Sequence, residues 1–88
     1  MGIRFAKVIA GHDKNHVYFV AGEDETNVLL ANGTTKKIEH PKKKAKIHVQ
    51  IIKRIPIDIT ALFCEEMPSD KIIQTALKEY EEMKISTT

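Results

Sequence analysis

Between Lys36 and His48 the chain carries six lysines, Lys36, Lys37, Lys42, Lys43, Lys44 and Lys46, together with His40 and His48. Like charges this close repel one another unless an anion stands between them. A phosphate backbone offsets that repulsion and releases its condensed counterions, so a nucleic acid is the polyanion this segment expects. Pro41, which has no backbone N–H, is expected to keep the middle of the run out of regular structure. A second candidate is the polar stretch Gly11-His12-Asp13-Lys14-Asn15. It reads as a loop whose tip projects His12 and Lys14 toward a phosphate or a base. Asp13 is expected to bond its own backbone, and Asn15 to tolerate left-handed geometry. With one glycine and no helix pattern after it, this is not the glycine-rich cradle of a nucleotide-binding loop.

Other chemistries find little to stand on. His12 and His16 are four apart, but on a loop and a strand that spacing does not converge. A zinc site would have to draw on His40, His48 or Cys64. Cys64, the one cysteine, lies among Leu62 and Phe63 and reads as a small core residue, not a nucleophile. No Ser-His-Asp set, Walker loop or paired carboxylates are present, so neither an enzyme nor a cofactor is expected. No apolar run approaches the roughly 20 residues that would span a bilayer. Ala6 stands where an N-myristoylation signal needs Ser or Thr. The expectation is a soluble, cytoplasmic protein without membrane association.

An 88-residue chain has room for one small domain and an appendage. Its net charge is only +2, but the two parts differ. Residues 1–56 hold 11 basic against 5 acidic side chains, a surplus of +6, while residues 57–88 hold 3 against 7, or −4. The basic part shows short apolar runs broken by turn residues, the pattern of antiparallel strands. Strands are expected over 4–10, 16–21, 27–31, 34–38 and 47–52. Ile3, Phe5 and Ile9 fall on one face of the first, and Ala6, Val8 and Ala10 on the other. Asn32-Gly33 suits a two-residue type I′ hairpin turn. Of Tyr18 and Phe19, one would face solvent in a simple alternation and Tyr18 could then stack a base, whereas a small barrel buries both. Five short strands predict a strongly bent barrel.

After Pro56 the period becomes helical, over 58–67 and again from Ser69 to about Lys84, with Pro68 between. Ile72, Ile73, Ala76, Leu77, Tyr80 and Met83 form the apolar stripe of the second segment, and Ser69 or Asp70 is its N-cap. The two segments are expected to form a helical hairpin on the barrel.

The stretch Arg4 to Asn15, followed by Val17-Tyr18-Phe19-Val20, resembles a KOW motif. It is closest to the bacterial KOW-domain RNA-binding proteins, relatives of a large-subunit ribosomal protein family of archaea and eukaryotes. Val28 to Gly33, the Lys36 to Lys44 segment and the tail from Pro68 to Glu81 are similar to later parts of that family. The resemblance implies an SH3-like barrel that binds structured RNA, on or near the ribosome, through Gly11, His12, Lys14, Asn15 and the lysine segment up to His48. Two positions depart from the family pattern: Asn15 replaces a glycine, and His12 replaces a basic residue. The competing expectation is a protein-interaction adaptor using the barrel and the acidic tail, because SH3-like barrels also bind peptides. Only five aromatics spread from Phe5 to Tyr80 disfavour a peptide groove. Double-stranded DNA binding lacks a basic recognition helix.

Overall fold

The computed structural model describes residues 3–63 and 69–86. It is α+β: a five-stranded antiparallel sheet followed by helices. The strands are β1 (Phe5–Val8), β2 (Val17–Glu23), β3 (Asn27–Ala31), β4 (Lys42–Ala45) and β5 (Val49–Ile52), in the order β4-β3-β2-β1-β5. A short helix α1 (Ile57–Thr60) runs on into a 3-10 turn, and α2 (Asp70–Ser86) closes the described chain. Cys64 and Pro68, together with the end of the first expected helical segment, lie outside the described residues.

The sheet does not close into the expected barrel. β4 and β5 are its two edges and do not pair. It is nevertheless strongly curled, because a single 3-10 turn of three residues, Lys46–His48, carries the chain from one edge to the other. Such a turn advances about 2 Å per residue, whereas the edges of a flat five-stranded sheet stand about 19 Å apart. A bulge in β2, between Val20 and Gly22, adds to the bend.

Curling gives the sheet two apolar faces. On the concave side Ala6, Val8, Tyr18, Val28, Leu30 and Val49 are buried together. On the convex side Phe5, Val17, Phe19 and Ala31 are buried against Ile59 of α1 and Ile73 and Ala76 of α2. The alternation along β1 and β2 sends successive residues to opposite cores, so Tyr18 and Phe19 are both 5% exposed and Tyr18 is no stacking platform. Aromatic rings lock the helices down: Tyr80 meets Phe5 edge-on at 5.3 Å, and Phe63 stacks on Phe19 at 5.1 Å. Isolated, a helix of α2's 17 residues would be marginal in water, and burial of its stripe on the sheet stabilises it. Ser69 caps it, its hydroxyl accepting from the Ile72 N–H at 3.3 Å.

The expected strand over 34–38 is absent, and the lysine run is the fourth strand instead. Asn32-Gly33 is not a hairpin turn, because β3 pairs with β4 and the connection between them is 32–41. Asn32 organises that connection through its side-chain oxygen, which accepts from the N–H groups of Thr34 and Lys36, each at 2.9 Å. Gly33 has the positive φ of 81° that the turn reading asked for, but for a different purpose. A Cβ there would strike the Asp70 carbonyl oxygen, because the connection is seated on the first turn of α2. Gln74 Nε2 donates to the Gly33 carbonyl at 2.6 Å, and Asp70, which does not serve as the cap, accepts from the Ile38 N–H at 2.8 Å. Pro41 ends the connection without interrupting the lysines, since it precedes β4 and needs no ladder bond. The fifth strand starts later than expected because Lys46–His48 is a 3-10 turn.

Candidate nucleic-acid interface

The Gly11–Asn15 loop joins β1 to β2 and is closed by backbone bonds. Asn15 N–H donates to the Val8 carbonyl at 2.7 Å, and His16 N–H to the Asp13 carbonyl at 3.0 Å. Gly11 and Asn15 both have positive φ, 91° and 77°, so Asn15 occupies the left-handed geometry expected of it. His12 and Lys14 are exposed on the loop.

Asp13 does something the sequence did not suggest. Its carboxylate reaches across to the Lys42 ammonium on β4, and its charge adds to the effect of burial in pushing the Tyr18 hydroxyl above its ordinary value. The Lys42 hydrogen bond is the chief cause holding the Asp13 carboxyl below its ordinary value, and it raises Lys42 in return. The Asp13–Lys42 pair thus ties the loop to the sheet.

The β4 register sorts the lysines. Lys44 lies opposite Val28 and Lys42 opposite Leu30, so their stems stand on the concave face and cover that core while their heads reach solvent. Lys43, opposite Leu29, points to the other side and is exposed. The Lys44 ammonium comes within 3.6 Å of the place a Cβ on Gly11 would occupy. Loop and strand therefore form one basic surface.

Not every expected residue stays available to an anion. Lys46 is paired with Glu23 at 2.9 Å, Glu23 also binds Arg4, and Lys42 is held by Asp13. Lys46 and Arg4 together hold the Glu23 carboxyl below its ordinary value. Among the described residues Lys14, Lys36, Lys37, Lys43 and Lys44 form no ion pair. Lys36 and Lys37 stand on the 32–41 connection, between Gly33 and Ile38, which fasten it to α2. His48 is exposed on the 3-10 turn, with its carbonyl accepting from the Ile9 N–H at 2.9 Å.

Sequence reasoning missed the two ion-paired carboxylates, Asp13 and Glu23, whose partners are distant in the chain. It also missed two exposed isoleucines at this end of the sheet, Ile9 and Ile47. The signal for Ile47 was present, since it is an apolar residue between Lys46 and His48. Among the described residues no group of three or more His, Cys, Asp or Glu is arranged to hold a metal ion, and no helix is long and apolar enough to cross a membrane.

Compared with known proteins, the chain matches no family model and no curated protein.

Proposed function

We propose that this chain is an RNA-binding module of the KOW type, an SH3-like domain that contacts ribosomal RNA or the ribosome in the cytoplasm. The observation that carries the reading is the meeting of the Gly11–Asn15 loop with the β4 lysines, Lys44 lying directly beside Gly11. Two further features support it. The strand order and the 3-10 link between opposite edges give the curled sheet that an SH3-like domain needs. Asn15 also adopts the backbone geometry in which the resembled motif has glycine. The work of the site is charge neutralisation and shape matching: lysine heads on a curled edge contact phosphates, while the loop, held by Asp13, fixes the register between them.

The test is RNA affinity against salt. If about four phosphates are neutralised, log K should fall with log salt at a slope of about −3. Replacing Lys43 and Lys44 by Gln should flatten that slope by about 1.5 while leaving the fold intact, because neither ammonium is ion-paired. A salt-insensitive affinity, or an unchanged slope in the double variant, overturns the reading. Sedimentation of the tagged chain with ribosomes, followed by crosslinking, identifies the RNA.

One feature favours the adaptor reading. The groove between α1 and α2, about 440 Å³, combines Ile59 and Met83 with the carboxylates of Asp58, Glu79 and Glu82, a lining suited to a basic peptide. The same ribosome pull-down repeated after RNA digestion separates the two, since an adaptor keeps its protein partner and an RNA binder loses its target.

A further inference from the structure

Ile47 is 81% exposed and Ile9 is 46% exposed, although an isoleucine gains about 1.5 to 3 kcal/mol when buried. They are not scattered. The Ile9 N–H bonds the His48 carbonyl, which fixes the 3-10 turn bearing Ile47 beside the end of β1. The β1–β5 register runs Phe5 with Ile52 through Val8 with Val49. Carried one step past Val8, it sets Ile9 against His48 and so leads to the Gly11 loop. The apolar pair therefore stands at the foot of the Gly11 loop, beside the exposed His48, with the Lys44 ammonium next to Gly11 two residues beyond Ile9. The one carboxylate of the loop, Asp13, is already bound by Lys42.

An apolar spot at the foot of a basic loop-and-strand surface, where the loop's one carboxylate is already paired, matches a nucleotide: a flat, weakly polar base face with a phosphate on either side. A base-paired helix hides those faces in its stack, and single-stranded loops and bulges offer them. We propose that Ile47, with Ile9 beside it, is a specificity-determining contact that seats an unpaired base of the bound RNA, so that the module selects bulged or looped RNA over continuous duplex. This rests on the RNA-binding reading and narrows its substrate class.

The experiment uses the full chain and two RNAs of equal phosphate number, one a continuous duplex and one with a single bulged 2-aminopurine. Base stacking on an aromatic ring is worth a factor of about 5 to 150. An aliphatic wedge lacks the π-face, so a preference of about fivefold to tenfold for the bulged RNA is expected, with a change in 2-aminopurine fluorescence on binding. Ile47→Ser should bring the two affinities to parity by weakening only the bulged complex. Ile47→Phe should keep or widen the preference. The residue is so exposed that neither change threatens folding, which circular dichroism checks. Equal affinities in the parent, or a preference that survives Ile47→Ser, overturns the proposal and leaves the patch to a protein partner. Absence of binding to either RNA removes the RNA reading itself, so the two failures are distinguishable.

Discussion

Replacing Gly33 by alanine probes whether the 32–41 connection is seated on α2. Two costs act there. The residue has φ of 81°, where an L side chain is strained by about 1 to 2 kcal/mol. The added Cβ would also stand 2.8 Å from Gln74 Cγ and 3.1 Å from the Asp70 carbonyl carbon, and would drive into the Asp70 oxygen. Backbone cannot yield as a lysine tip can, and overpacking of this kind costs about a further 1 to 3 kcal/mol. Gly11→Ala is the matched control. It carries similar strain, at φ of 91°, but its Cβ would meet only the Lys44 ammonium at 3.6 Å, an ordinary contact with a flexible group. Whatever alanine does to the unfolded chain is the same at both sites and drops out of the difference. At about 1 kcal/mol per molar urea for a domain this small, Gly33→Ala should unfold about 1 to 3 M earlier than Gly11→Ala. Equal urea midpoints for the two variants would refute the seating of the connection on the first turn of α2.

At Asn15, glycine should be near neutral and valine should cost about 1 to 3 kcal/mol by denaturation midpoint, because φ is 77° there. Asp13→Asn should lower the melting temperature at neutral pH. Since Lys42 depresses the Asp13 carboxyl below its reference value of 3.8, its contribution is complete above that value and is lost as pH falls through the lower folded value. Melting curves of parent and variant should therefore converge at strongly acid pH, and a gap that persists there would rule out the ion pair as its cause. Ile73→Ala, at a side chain with no exposure between sheet and α2, should cost about 2 to 5 kcal/mol, and amide exchange should quicken along α2.

What the sequence made legible follows physical range. The two-faced apolar pattern around Phe5 and Ala6, the third strand over Asn27–Ala31, the left-handed Asn15 and the stripe through Ile73 and Ala76 are local, periodic features, and each stands in the structure. β4 was illegible because Lys42-Lys43-Lys44-Ala45 has no apolar alternation. Its strand state comes from pairing with β3, a tertiary influence that overrides propensity. Asn32-Gly33 misled because turn residues report that the chain bends but not what it bends around, here the start of α2. The Asp13–Lys42 tie spans 29 positions, so no local pattern announces it, and it decides which lysines remain open to an anion.

β4 is a sheet edge, and none of the described strands pairs with its outer side. A bare edge invites a second chain to zip onto it, and consecutive lysines make two such edges repel. On this edge the ammonium groups of Lys43 and Lys44, unpaired among the described residues, would set two copies of the protein against each other. Their neutralisation, by substitution or by acetylation, would favour edge-to-edge self-association that grows with concentration and relaxes on dilution. Cells acquiring such changes would face a solubility problem before a recognition problem, which constrains how freely this strand can shed its charge.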